Sequence, residues 1–369
     1  MLLSNILHQL PKVELHLHLE GAIPLSALWQ LIEKYDAVSD VGSFSQLEQK
    51  FQYKNFSHFI DTWVWKNNFL REYEDFTFIA SKVSEDLAAQ NIIYVEAFYS
   101  PGDFIRHGLE PQKLTEAIRK GLDVHADKIT VNLVADLVRD FGPEQGMTWL
   151  KQIHEVRNLG VIGIGIGGSE QAFPPEPYTV VYEEARKLGF KTSAHAGEEA
   201  GSESIWGAIR SLKADRIGHG TRAIDDPELV SFLKEAQIPI EMCPLSNLST
   251  GVVADIALHP IRKFYDEGLL ISVNTDDPKM FNNSLVAEYR LLIEKLNFSL
   301  DEIVNLIRNG IQSAWCEEAK KLELLKELEK KIAVNKLESH QSLALAKTNS
   351  ASAGKRTISA KSMRKCLAF

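Results

Sequence analysis

The chain has 369 residues, 44% of them hydrophobic and 25% charged, enough for one large globular domain or two ordinary ones. A formal net charge of −9 argues against nucleic acid or an anionic membrane as partner, and no apolar run approaches the ~20 residues of a membrane span. Three scattered cysteines without a CxxC pair suit a reducing compartment, and the opening MLLSNILHQLPKVE has no basic region, so the expected location is the cytoplasm.

From the N-terminus onward, short apolar runs rich in β-branched residues alternate with stretches of helical periodicity. The predicted strands are VELHLHL (13–19), IIYVEAFY (92–99), ITVNLVADL (129–137), VIGIGIG (161–167), KTSAHA (191–196), RIGH (216–219), IPIEMC (238–243) and LISVNT (270–275). Helical patterns between them include LTEAIRKGLDVHA, YTVVYEEARKLG, ESIWGAIRSL and DPELVSFLKEA. Eight strands alternating with helices imply an α/β fold, a (β/α)8 TIM barrel. The first crossover, residues 21–91, is unusually long. Its aromatic stretch FQYKNFSHFIDTWVWKNNFLREYEDF (51–76) is expected as helices over one end of the barrel. After the eighth strand, residues 284–333 read as extra helices, ending in EEAKKLELLKELEKKI with many i,i+4 charge pairs. The barrel is assigned to residues 1–334. Residues 335–369 carry seven Lys/Arg against one Glu, with many Ser and Ala, and are expected to be a disordered tail. Cys366 to Phe369 match a prenylation box, but nothing in a barrel calls for a membrane, and a free tail is expected.

The run KVELHLHLE (12–20) splits by parity, because successive strand side chains point to opposite faces. Val13, Leu15, Leu17 and Leu19 form an apolar face; Lys12, Glu14, His16, His18 and Glu20 form a polar one. Either the polar face meets water, or the strand is buried and its imidazoles need an internal partner. In a barrel strand the apolar face packs on helices, and a metal ion is the cheapest partner for two inward histidines. An HxH pair alone is a weak sign, since two hydrogen-bonded histidines look the same. Other strand ends strengthen it. SAHAGEE puts His195 at the end of strand five and Glu198 just beyond. RIGHGTR puts His219 at the end of strand six, and SVNTDDP puts Asp276 and Asp277 at the end of strand eight. Each has an ordinary reading as a core histidine or a turn. Together they bring His or Asp from four strands to the rim where barrel active sites sit. The remaining histidines fall on helices, loops or the tail, and His259 is expected to orient its own loop.

LPKVELHLHLEGAI, SAHAGE, RIGHGTR, CPLSN and VNTDDP, in this order over residues 11–278, resemble the adenosine/adenine deaminase family of the amidohydrolase superfamily. The resemblance implies a hydrolase that cleaves a cyclic amidine C–N bond, with one Zn²⁺ per chain bound by His16, His18, His195 and Asp276. It implies catalytic roles for Glu198, His219 and Asp277, and a purine substrate bracketed by His18, Glu20, Gly168 and Asp277. The chemistry agrees with it. Three imidazoles and a carboxylate suit zinc and leave a position open for water. Asp277 is then the acceptor of the water proton, with His219 orienting the attacking oxygen and Glu198 protonating purine N1.

Two related chemistries fit less well. Deaminases of the HxE–PCxxC type need cysteine pairs, and CPLSN supplies one cysteine. Binuclear amidohydrolases need a lysine after strand four, where this chain reads GIGIGGSE. Two departures from adenosine-specific members bear on the substrate: Glu20 stands where they have Asp, and Gly165 and GGSE stand where they have an Asp and a GDE-like run. The expected substrate is adenosine or 2′-deoxyadenosine. Adenine and 6-aminodeoxyfutalosine are the alternatives, and a catalytically dead purine-binding barrel is the reading from outside enzymology.

Overall fold

The computed structural model describes residues 2–35 and 41–334. Eight parallel strands follow one another in chain order: β1 (Lys12–His18), β2 (Ile92–Tyr99), β3 (Thr130–Asp136), β4 (Val161–Gly165), β5 (Lys191–Ala196), β6 (Arg216–His219), β7 (Ile240–Met242) and β8 (Ile271–Val273). The ring closes where Leu17 bridges Asp276. There the His18 N–H donates to the Asp276 carbonyl at 2.8 Å, and the Asp276 N–H donates to the His16 carbonyl at 3.1 Å. This is the expected TIM barrel, with β5 and β6 spanning the predicted residues. β7 and β8 are shorter than their apolar runs suggested. Pro244 starts a helix directly after Cys243 and ends β7, while Asp276 turns into the left-handed region at φ +64° beyond β8.

All seven residues of β1 are buried, so its polar face does not meet water. Leu15, Leu17 and Leu19 join the apolar core. The first crossover folds into the helices Leu25–Tyr35, Phe44–Lys50, Phe56–Asn67 and Tyr73–Ala89. The third of these is capped by Asn55, which accepts the His58 N–H at 3.0 Å. It is fastened over the rim by Trp63 Nε1 and Asn67 Nδ2, which donate to Asp103 at 3.0 and 3.1 Å. Lys66 Nζ also donates to the Glu20 carbonyl at 2.7 Å. The aromatic stretch thus covers one end of the barrel, as its composition suggested.

The stretch ESIWGAIRSL divides into an α-helix, Ser202–Gly207, and a wider π turn, Ala208–Leu212, that ends at Lys213 with φ +52°. The helices after β8 are Leu285–Leu296, Leu300–Ser313 and a last one over 318–334. The expected tail, with Cys366, lies outside the described residues. No helix among the described residues is long and apolar enough to cross a membrane.

Below the rim the interior is charged instead of carrying the branched apolar layers usual for such a barrel. Arg216 is fully buried between Glu96 at 2.6 Å and Glu241 at 2.5 Å, with its guanidinium 3.4 Å over the Trp315 ring. Glu96 also accepts the Trp315 N–H at 2.6 Å and the Tyr94 hydroxyl at 2.7 Å.

Candidate active site

β1 delivers His16 and His18 to the rim, β5 delivers His195, and the turn after β8 delivers Asp276. Glu241 Oε2 lies 2.7 Å from His16 Nδ1, and the Ile166 carbonyl lies 3.2 Å from His195 Nδ1. Both acceptors put the proton on Nδ1 and turn Nε2 inward. The two Nε2 atoms then face each other at 3.1 Å, a contact that needs a proton or a cation between them. Burial opposes charge on His16, but its bonds to Asp276 and Glu241 outweigh that and lift its pKa to about 10. One positive charge is favoured on His16, whereas burial pushes the pKa of His18 and His219 down to about 4 and that of His195 well below its ordinary value. Although burial works against it, the His16 bond and the surrounding imidazoles hold the Asp276 carboxyl well below the usual range.

The donors also have the spacing of a metal site. Asp276 Oδ1 is 3.5 Å from His16 Nε2 and 3.3 Å from His18 Nε2, and His18 Nε2 is 3.2 Å from His195 Nε2. A tetrahedral ion with bonds of ~2.0–2.1 Å has donor–donor edges of about 3.3–3.4 Å. An overlapping group, with His219 in place of His18, also gathers its donors within 4.8 Å. Its edge from His219 Nε2 to Asp276 Oδ2 is longer, 3.9 Å.

Glu198, His219 and Asp277 stand round this group, all buried. Glu198 follows β5 on a loop gripped by Glu170, whose carboxylate accepts the N–H groups of Gly197, Glu198, Glu199 and Ala200 at 2.5 to 3.1 Å. Asp277 fits because position 21 is glycine: a Cβ there would lie 1.7 Å from Asp277 Oδ1. Burial pushes both the Glu198 and Asp277 carboxyls well above their ordinary values, and the Asp276 charge adds to the push. His219 and Asp276 adopt φ of +61° and +64°, strained for residues with side chains and typical of functional positions.

A cavity of about 240 Å³ opens onto these residues. Its inner end is His18, His195, Glu198, His219, Asp276 and Asp277, and its outer wall carries Phe59, Trp63, Val64 and Phe141 with the carboxylates Asp103 and Asp140. Gly168 lines it at φ +93°, where any side chain would strike Asp140. Glu20 is placed differently. It is fully buried, with one carboxylate oxygen accepting the Ser100 N–H at 3.0 Å and the other without a partner among the described residues.

The adenosine deaminase family model matches residues 11–331. The chain belongs to that family. It is a deaminase of the hydrolase class that acts on a purine amine. An adenine deaminase of Wolinella succinogenes is 31% identical over 328 residues, 88% of this chain and 99% of the relative. An adenosine deaminase of Shewanella denitrificans is 33% identical over 321 residues, 84% of this chain and 96% of the relative. The solved structure of an amidohydrolase from Burkholderia ambifaria with bound Zn matches at a TM-score of 0.82 and 26% identity, covering 90% of this chain and 94% of that one.

Sequence reasoning passed over several residues that this deaminase uses to hold its site. Glu241 orients His16, Glu170 holds the Glu198 loop, and Ser246 donates to Asp276 Oδ2 at 2.6 Å. Arg139, also buried, donates to the His195 carbonyl at 2.6 Å. A signal existed for Glu96 and Glu241: each is a lone glutamate inside an apolar strand, IIYVEAFY and IPIEMC.

Proposed function

We propose that this deaminase hydrolyses the C6 amino group of a purine nucleoside, with adenosine and 2′-deoxyadenosine as substrates and one zinc ion held by His16, His18, His195 and Asp276. The observation that carries the reading is a pair of buried carboxylates, Glu198 and Asp277, beside a His–Asp group with the donor spacing of a zinc site. Burial and the Asp276 charge raise the pKa of both, which suits Glu198 as a proton donor. At Asp277 the Lys66 cation and His16 pull the other way while Glu20 adds to the rise, and a zinc ion bound beside it would favour the ionised base.

A zinc ion bound there supplies Lewis acidity, lowering the pKa of a water toward ~7. Asp277 takes the proton of the water that attacks C6, and His219 orients that water. Attack pushes electron density onto N1, where Glu198 delivers its proton. The Gly168 N–H meets a ring nitrogen on the purine edge, and His18 and Asp277 border the ring. Asp277 hands the proton it took from water to the amino nitrogen, which leaves as ammonia, and the C6 hydroxyl gives its proton to Glu198 as the 6-oxo purine forms.

The outer cavity supports a nucleoside, since Asp103 and Asp140 offer acceptors for sugar hydroxyls and no lysine or arginine stands among the described lining residues to meet a phosphate. One observation favours free adenine as a second reading. Glu20, which stands where adenosine-specific members have Asp, is fully buried with one carboxylate oxygen engaged by the Ser100 N–H. A spectrophotometric panel of adenosine, 2′-deoxyadenosine, adenine, AMP and 6-aminodeoxyfutalosine, run with elemental analysis, tests the proposal. We expect about one zinc per chain, as in other catalytic zinc sites, and fastest turnover of the nucleosides. Preference for adenine selects the second reading, and no turnover by fully zinc-loaded protein overturns both.

A further inference from the structure

Two buried residues that take part in no step above, Asn247 and His259, lie in line behind His219. We propose that they form a hydrogen-bonded relay that fixes which ring nitrogen of His219 carries the proton, making both of them positioning residues for the deamination. The proposal rests on His219 facing the reacting centre, as in the reading above.

The direction of the relay follows from its far end. The Ile261 backbone N–H can only donate, and it reaches His259 Nδ1 at 3.2 Å. Nδ1 of His259 is therefore unprotonated, and in the neutral ring the proton sits on Nε2. Burial keeps that ring neutral, pushing its pKa down to about 3. His259 Nε2–H then donates to Asn247 Oδ1 at 3.2 Å. With its oxygen so engaged, Asn247 turns its amide nitrogen to His219 Nδ1, also at 3.2 Å. That amide donates, so His219 Nδ1 is an acceptor and the His219 proton is on Nε2.

His219 Nε2 is the atom that faces the site. It lies 3.4 Å from Glu198 Oε2 and 3.9 Å from Asp276 Oδ2, and it makes no hydrogen bond among the described residues. The relay thus makes His219 present a donor to the cavity. A donor there can orient a water through its oxygen but cannot take that water's proton, which leaves proton abstraction to Asp277. It also withholds the Nε2 lone pair from a cation. His219 therefore stays out of the ligand set although its donor lies within 4.8 Å of the ligand atoms of His16, His195 and Asp276.

The relay is firmly set. Asn247 belongs to the helix Pro244–Ser249 and its carbonyl accepts the Val253 N–H at 2.9 Å, while the His259 N–H donates to the Ile256 carbonyl at 3.0 Å. His219 is presented to it by the left-handed turn that ends β6.

The test is 15N NMR of the histidine rings in the zinc-loaded protein without substrate, with zinc content measured alongside. We expect His219 to show a protonated Nε2 and an unprotonated Nδ1; the reverse pattern overturns the relay. In His259→Phe the ring signals of His219 should move toward tautomer averaging. Its kcat should fall about 10- to 100-fold with KM and zinc content held, the range typical for groups that orient a site residue. His259→Gln, which keeps an amide acceptor and donor, should recover much of that loss. Unmoved His219 signals with kcat within twofold of wild type overturn the proposal, and Asn247→Ala gives the same decision if His259→Phe does not fold. Because the NMR arm needs no substrate, the relay can stand even where every purine in the panel fails, so the two failures are distinguishable.

Discussion

Two layers of the barrel interior bury charge on the same strands. β6 holds Arg216 at one end and His219 at the other. On the floor, Arg216 is flanked by Glu96 and Glu241 within 2.6 Å and stacked on Trp315, so charge meets charge inside the protein. Both layers hold buried atoms without a hydrogen bond among the described residues, but on the floor Arg216 Nε, Glu96 Oε2 and Glu241 Oε1 sit in close ion pairs. On the rim, His18 Nδ1 and Asp277 Oδ1 have no such contact among the described residues, and His219 Nε2 comes no nearer than 3.4 Å to a carboxylate. An unsatisfied buried polar group costs about 1–3 kcal/mol, and a fold keeps several together where a ligand completes them. The floor is built for the folded chain, and the rim gathers groups that could hold a cation beside a purine. Glu241 joins the layers, with one oxygen on Arg216 and the other on His16.

This contrast breaks most sharply at Glu198. Glu198→Gln should retain zinc and substrate binding and lose about three orders of magnitude or more in kcat, because the acid acts as charge develops on N1. Steady-state kinetics within tenfold of wild type would remove it from the chemistry. Stability should respond in the opposite layer. Arg216→Met strips the buried Glu96 of its cation and leaves Glu241 with His16 alone, and should cost about 3–5 kcal/mol in urea unfolding. Asp277→Asn, which removes an underpartnered carboxylate from the rim, should lose activity while leaving stability unchanged or raised. Equal destabilisation by both would erase the distinction between the layers. Glu241→Gln sits between them. It weakens the hold on His16 and should lower zinc affinity about 10- to 100-fold, read by competition with a chelator.

What the sequence revealed divides along the same line. The parity of KVELHLHLE left a surface or a buried strand open until the barrel pattern decided for burial, and the His and Asp residues at strand ends pointed to a rim that could hold a metal. Those signals are local, carried within a strand and the residues after it. The supports of the site are not local. Glu96 meets the Trp315 N–H across 219 positions, His16 meets Glu241 across 225, and Glu170 holds a loop whose N–H groups begin 27 residues later. No periodicity encodes such meetings; the closed barrel creates them. His259 shows the limit well. Its bond to the Ile261 N–H is the local role the ALHP context suggested, while its reach through Asn247 to His219 exists only because β6 and the segment after β7 lie side by side. Glu20 illustrates the reverse: the resemblance sets it against the purine, and in the fold one of its carboxylate oxygens accepts the Ser100 N–H.

The smallest expected effect comes from an ion pair outside both layers. Glu302 starts the helix Leu300–Ser313, where it accepts from Arg262 at 2.9 Å and from the Ser299 N–H at 2.7 Å, with its side chain 27% exposed. The Arg262 bond first, then the Ser299 N–H, lower its pKa from 4.5 to about 2. A carboxylate with a depressed folded-state pKa contributes stability above its unfolded value, and that contribution is lost as pH falls through the folded one. Solvent and salt weaken such a pair, so Glu302→Gln should cost at most about 0.5 kcal/mol near neutrality. The deficit should fade between pH 4.5 and about 2 as the wild-type carboxylate takes up its proton. Paired urea titrations at pH 7 and near pH 2 measure it. A deficit at pH 7 as large as that of Arg216→Met would mean that burial is not what gives the floor its energetic weight.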